Sequence, residues 1–422
     1  MGARPVVSSP ACALRMILAA GLLVAAGAAA EAPAAGEPKP PEKVQPEPQK
    51  VTPLPDMEAP AQGWASVKPN PQVEAMADNT WMELKTRFVP DGAVSYADMK
   101  FGRDHGGIGH PKGESCMVYD DARNVTIWFG GCSSGYTNQT LLLSVSDATW
   151  YQAQPEHVEY LVNGHQKAAG PNRPMGQCSY GACYDPDDKL YVKGKGITGG
   201  FAWEKPQKVW GYDAAKNKWE DLGEGGPNGQ GCYKLVYDRD SKLCVQFGGL
   251  GISGTWLFDV PKRQWREAKA AGQSPPFRWY HCMVYDEKNR KTVLFGGGAE
   301  KYASGKHHDD TWAFDAATST WTEMKPKTRP PARKMAAMAY DAANAVCVLI
   351  NGSASTKEAE KKFLDTWVYD LAKDEWQEMK PASQPPLPGP YQAAYDRVNN
   401  VTVYVSGGQT HLYRYKKAGK GP

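Results

Sequence analysis

The chain has 422 residues, among them 43 glycines, 33 prolines, 14 tryptophans and 21 tyrosines, with a formal charge of only +3 at pH 7. Near-neutral charge excludes a protein that grips nucleic acid through a strongly basic surface. The wealth of turn formers and aromatics excludes a coiled coil or a long-helical chain.

Residues 1–30 read as an export signal: Arg4 and Arg15 are basic, Met16 to Ala26 is apolar, and Ala28-Ala29-Ala30 offers small residues for cleavage. The apolar run is too short for a good membrane span. Cys12 lies ahead of it, on the wrong side for lipid attachment, so a freed protein in the extracellular space, periplasm or cell envelope is expected. Cleavage removes two arginines and no acids, leaving a formal charge of +1. Residues 31–63 hold nine prolines among Glu, Lys and Ala, a composition that suits an extended, solvated linker. From 64 to 415 the chain is one domain of short strand candidates, and 416–422 is a basic tail.

Within that domain one pattern recurs six times. A first apolar run ends in Tyr-Asp at Tyr119-Asp120, Tyr184-Asp185, Tyr237-Asp238, Tyr285-Asp286, Tyr340-Asp341 and Tyr395-Asp396, at intervals of 48 to 65 residues. A second run ends in paired glycines at Gly130-Gly131, Gly248-Gly249, Gly296-Gly297 and Gly407-Gly408; the pair degrades to Gly194-Lys195-Gly196 and Asn351-Gly352 in the other copies. A third run reads VWGYD from 209, TWLFD from 255, TWAFD from 311 and TWVYD from 366, and a fourth opens on Trp150, Trp219, Trp265, Trp321 or Trp376. Asp suits the tight turn after the first run, glycine permits close backbone approach, and tryptophan fills the space between stacked sheets. One such sheet cannot cover both its faces, so the copies must stack, and radial stacking gives a propeller.

The double glycine, the third-run Tyr-Asp or Phe-Asp and the following Trp resemble the kelch-repeat β-propellers, a superfamily that includes the galactose oxidase propeller. The resemblance covers residues 77–415 and implies an all-β, six-bladed propeller of four-stranded blades. The first and second copies depart most; the first, LLLSVSDATW, lacks the third-strand aromatic. The sixth copy has no fourth run of its own. ADNTWMELK at 77–85 matches ATSTWTEMK at 317–325, so an N-terminal strand bearing Trp81 is expected to close the ring and bury a sheet edge. A seventh blade would require a degenerate element around Trp64 in residues 57–76.

The resemblance also implies that first strands line the channel and that the loops from strand two to three share a face with the inter-blade loops. The long loops expected there are 86–113, 132–140, 153–177, 197–208, 298–309 and 353–364, a usual setting for binding chemistry. Aligning the first strands on Tyr-Asp places Ser115, Tyr180, Tyr233, His281, Ala336 and Tyr391 at one ring position, with Arg278 and Arg333 three residues earlier. The expected candidate site is a polar collar of Tyr180, Tyr233, His281 and Tyr391 at the channel mouth. Arg278, Tyr280 and Arg333 stand beside it, and Trp203, Trp279 and Tyr302 offer stacking area. Hydrogen bonding of these groups to one another and to channel water is the alternative.

Tyr280-His281 also resembles the Tyr-His copper ligands of galactose oxidase-type enzymes, but the second histidine has no obvious candidate beyond His307, His308 or His411. In His307-His308-Asp309-Asp310, Asp310 aligns with Asp365 as a repeat residue, and three consecutive loop residues do not readily face one ion. No phosphate loop, zinc-spaced cysteine pair or nucleophile elbow occurs. Eight cysteines remain after cleavage; Cys244 and Cys347, at equal places in their second strands, are expected as buried thiols, and no bridge is assigned. The leading expectation is an exported, monomeric binding module without a cofactor. Its ligand is a protein or a carbohydrate held on the long-loop face, with no nucleic-acid partner and no membrane insertion after cleavage. A copper-radical carbohydrate or alcohol oxidase and a structural envelope protein are the alternatives.

Overall fold

A computed structural model describes residues 49–50, 56–61, 63–89, 115–131, 137–155, 160–162, 165–166, 172–176, 181–196, 208–227, 231–252, 254–269, 272–299, 306–355, 359–386, 392–406 and 408–417. The expected export signal, most of the linker and the end of the tail lie outside them.

Each repeat is a four-stranded antiparallel sheet. Blade one holds Cys116–Asp120, Val125–Phe129, Thr140–Ser144 and Thr149–Gln154. Blade two holds Ala182–Asp185, Leu190–Lys193, Trp210–Asp213 and Lys218–Asp221. Blade three follows with Lys234–Asp238, Leu243–Phe247, Thr255–Asp259 and Gln264–Ala268. Blade four comprises Cys282–Asp286, Lys291–Phe295, Thr311–Asp315 and Thr320–Met324. Blade five comprises Ala337–Asp341, Val346–Ile350, Thr366–Asp370 and Glu375–Met379. Blade six takes Ala393–Asp396, Val401–Ser406 and Gln409–Arg414 from the C-terminal end and Thr80–Leu84 from the N-terminal end. First strands of successive blades are neighbours, and that of blade six lies beside that of blade one, so the ring closes at six.

The N-terminal closure is as expected, with Trp81 opposite Tyr413 in an antiparallel pair. The chain then crosses to blade one, where Arg87–Val89 adds a fifth, parallel strand beside Thr149–Tyr151. Residues 80–89 therefore tie blade six to blade one twice. The loop expected from 86 begins with this strand, and the expected 153–177 and 353–364 loops contain the short hairpins Tyr160–Val162/His165–Gln166 and Ser353–Ser355/Glu360–Lys362. Trp64 makes no seventh blade. It is buried in the cluster joining blades one and two, with its indole N–H donating to Ala214 O at 2.6 Å. Contacts begin earlier still: Gln49–Lys50 pairs antiparallel with Tyr160–Leu161, Arg173 Nη2 donates to both Asp56 carboxylate oxygens at 2.7 Å, and Met57 N–H bonds Ala153 O.

The repeated residues have plain physical tasks. Each Tyr-Asp carboxylate is buried and accepts turn backbone N–H groups, as Asp286 does from Asn289 and Asp396 from Asn399. The fourth-strand tryptophans tie neighbouring blades. Trp81, Trp150, Trp219, Trp321 and Trp376 donate their indole N–H groups to Thr366, Thr410, Thr140, Thr255 and Thr311 of the preceding blade at 2.8–3.2 Å. Trp265 of blade three breaks the series. Its Nε1 is buried without a partner, because blade two carries Val209 where the other blades carry threonine.

Candidate functional site

Along the axis, the first strands enclose a cavity of about 180 Å³ whose wall mixes apolar residues, among them Met117, Val236, Met283 and Met338, with Lys234 and Gln392. Its two ends differ.

At the end where the first strands finish, the residue after Tyr-Asp is charged in blades one, three, four and six. Arg239 of blade three meets Asp121 of blade one at 2.6 Å and Glu287 of blade four at 3.1 Å. Arg397 of blade six lies 3.7 Å from Asp121 and also pairs with Glu287. Opposite blades carry like charges and each carboxylate touches both arginines, so four side chains form a closed clasp across the channel.

At the other end, where first strands begin, Cys232, Tyr280 and Met335 occupy one position in blades three, four and five. All three have left-handed backbones, at φ +60°, +50° and +57°. Such conformations cost non-glycine residues energy and persist where the surroundings enforce them. Here the enforcement is backbone bonding between blades: Tyr280 N–H donates to Cys232 O at 2.9 Å and Met335 N–H to Tyr280 O at 3.0 Å. The double glycines complete the arc. Gly249 and Gly297 donate to Arg278 O and Arg333 O, and a Cβ on Gly248 would lie 2.7 Å from Arg278 O, closer than contact permits. Glycine is therefore required where one blade's second strand ends against the next blade's entry. The strand-two-to-three loops share this face, since Trp279 bridges Gly298 and His308 Nε2 lies 3.2 Å from Phe277 O.

The expected collar is reshaped by this geometry. Tyr180 and Tyr391, with Trp203 and Tyr302, lie outside the described residues. Tyr233 is buried and donates to Lys195 O at 2.5 Å. His281 is 1% exposed, packs edge-on against Phe247, and has no partner on either ring nitrogen. Burial first, then the cations Arg278 and Lys234, hold it neutral well below the usual imidazole range. Arg278 and Arg333 do not stand open at the mouth. Arg278 forks onto Asp310 at 2.7 and 2.8 Å and donates to Gly296 O and Pro276 O. Arg333 repeats the arrangement on Asp365 at 2.5 and 2.9 Å, with Asn351 O and Pro331 O. Both side chains are fully buried. The reason is electrostatic: a buried guanidinium must be paired and satisfied, and blades four and five supply a carboxylate just before the third strand, at Asp310 and Asp365.

What the mouth does expose is amphipathic. Tyr280 is half-buried on the rim, its ring 5.2 Å from that of Trp279. Lys334 Nζ lies 4.9 Å from the centre of the Trp279 ring, and Phe277, just before Arg278, and Leu364, just before Asp365, are exposed. Burial lowers the Lys334 pKa, with Glu360 opposing the effect. Sequence reasoning set Tyr280 and Trp279 at the mouth, but missed Lys334, the left-handed arc and the clasp. Inside, Lys234 sits in the field of Cys116, Cys232 and Cys282, and burial pushes the Cys116 and Cys282 thiols up to about 12 and about 11.

The histidines considered for copper are dispersed. His307 Nε2 accepts from Ser355 N–H at 3.4 Å, His308 bonds Phe277, and His411 belongs to the third strand of blade six. Among the described residues no three His, Cys, Asp or Glu side chains gather at one point. Among the described residues the donor set of a copper-radical centre is not assembled around His281.

Comparison with known proteins completes the description. The family model described as the KLHDC2/KLHL20/DRC7 Kelch-repeats domain matches residues 182–408, just over half of the chain. Dynein regulatory complex subunit 7 of Chlamydomonas reinhardtii is 29% identical over 105 residues, covering 24% of this chain and 9% of that protein. The match thus spans less than a tenth of that relative's length.

Proposed function

The chain belongs to the kelch-repeat propeller family, and from that premise we propose that it is an exported module that binds a protein partner on the face carrying the strand-two-to-three loops. Propellers of this family generally bind proteins. The observation that carries the reading is the inequality of the channel ends. One is shut by the clasp of Asp121, Arg239, Glu287 and Arg397. The other presents Tyr280 and Met335 on an arc whose backbone is held rigid between blades.

A rigid rim loses little entropy on binding, and aromatic groups backed by packed neighbours are the usual anchors of protein interfaces. Trp279, Tyr280 and Lys334 supply such a cluster, with Phe277 and Leu364 as outlying apolar contacts. The name of the algal relative makes it a subunit of a complex, which favours a protein over a sugar as the ligand class. The amino-terminal segment 1–30 supports export.

The test is site-specific photo-crosslinking in the native host. A photoreactive residue at Met335 should trap a protein adduct, while one at Lys242 on the clasp face should not. Adducts at Lys242 alone, or at neither position, would overturn the reading; the second result would favour a carbohydrate ligand or a purely structural role.

A further inference from the structure

Blade two is the irregular member of the ring, and the interface it makes with blade three is the one that lacks the tryptophan–threonine bond. Trp265 Nε1 is left buried and unpartnered there. At the same interface two buried thiols meet. Cys183, on the first strand of blade two, lies 3.3 Å from Cys244, on the second strand of blade three, sulfur to sulfur. Their residues are 4% and 0% exposed. We propose that Cys183 and Cys244 are oxidised to a disulfide that staples blade two to blade three, at the interface where the repeat's hydrogen bond is missing.

The contact is short enough for the chemistry. A disulfide needs the sulfurs about 2 Å apart, so the pair must close by little more than 1 Å, within reach of side-chain rotation. The step is thiol–disulfide exchange. One thiolate attacks a low-molecular-weight disulfide and displaces one thiol; the second thiolate then attacks the mixed disulfide and displaces the other. Two protons and two electrons leave the protein, and the oxidant becomes two thiols. In the closed ring, burial and the neighbouring Cys244 raise the Cys183 pKa well above the ordinary thiol value, which starves the step of thiolate. The bond therefore forms while the chain folds, before the two blades seal. An exported protein meets oxidising conditions at that moment, but the chemistry is independent of the binding reading.

The mature chain is unfolded with reductant and refolded in a buffer of oxidised and reduced glutathione. The refolded protein is then denatured in excess alkylating agent and the peptides are mapped by mass spectrometry. The expected product is a linked Cys183–Cys244 peptide two hydrogens lighter than the thiols. The oxidised protein should melt about 3–6 °C above the reduced protein. Cys183→Ala and Cys244→Ala should each abolish that difference, and the double variant should match the reduced wild type. Alkylation of both cysteines when the refolded, oxidised protein is denatured in alkylating agent overturns the proposal, as does a link that leaves the melting temperature unmoved. If the variants fail to fold, the peptide map and melting of the wild type decide alone.

Discussion

Replacing Thr255 by Val exchanges one buried hydroxyl for a methyl of the same shape and leaves the Trp321 indole N–H without an acceptor. Thr255 is 2% exposed, Trp321 is 3% exposed, and the bond between them is 2.8 Å. An orphaned buried donor costs about 1–3 kcal/mol, and the added methyl returns at most about 0.8 kcal/mol. The net loss is about 1–2 kcal/mol. At roughly 2 cal/mol/K of unfolding entropy per residue, a propeller of this size loses about 1.5 °C per kcal/mol. The assay is thermal unfolding of Thr255→Val, Trp321→Phe and the double variant. The double-mutant cycle should give a coupling of about 1 kcal/mol. The reciprocal change is more telling. Val209→Thr places a hydroxyl opposite the unpartnered Trp265 Nε1, and should be neutral or stabilising by up to about 1 kcal/mol, whereas a buried hydroxyl without a partner would destabilise. Zero coupling between Thr255 and Trp321, together with a destabilised Val209→Thr, would refute the idea that these bonds tie the blades.

Other consequences follow from the buried charges. Arg278→Ala leaves Asp310 without its fork and should cost about 3 kcal/mol, read as a lowered melting temperature. Little change would restore Arg278 to the open mouth that the sequence suggested. Asp121→Asn removes two contacts from the clasp and should cost about 1 kcal/mol at low salt, with a weaker dependence of stability on sodium chloride than wild type; equal salt dependence would argue against the clasp. His281 is held neutral in the fold, while the unfolded chain takes up its proton near pH 6.5. Stability is therefore lost as pH falls below about 6.5, by at most about 1.4 kcal/mol per pH unit for this group. Arg278, Lys234 and His308 all bear on it in the same direction. Half-buried His308 and buried His411 act likewise, and Asp396, raised to about 6 by burial, acts oppositely. His281→Tyr, which copies Tyr233 of the preceding blade, should shrink the fall in melting temperature between pH 7 and pH 5; an unchanged fall would mean that His281 is not the group responsible.

Fold was legible in the sequence because every blade repeats the same packing problem. Tyr-Asp, the double glycine and the tryptophan each serve one local contact and so return at each copy, and even the borrowed strand at Trp81 announces itself by likeness to the strand at Trp321. The site was less legible because aligned positions tell which residues share a ring, not which atoms they meet. Arg278 and Arg333 fell in register near the mouth, yet their partners Asp310 and Asp365 lie 32 residues downstream in both copies. That equal separation was the available signal. The clasp was equally readable once Asp121, Arg239, Glu287 and Arg397 were aligned after their Tyr-Asp pairs, with like charges in opposite blades. Of the rim, the sequence marked Tyr280 and Trp279 but not the arc, since Cys232, Tyr280 and Met335 share a backbone conformation and no chemistry.

The central claim, that the rim opposite the clasp holds a protein partner, is tested most directly with the partner trapped at Met335. Its Kd is measured for wild type and for Tyr280→Asn with Lys334→Glu, the asparagine chosen because it tolerates a left-handed backbone. The account predicts binding weakened about tenfold or more at an unchanged melting temperature. An unchanged Kd in a folded variant would contradict it and move the interface off the arc.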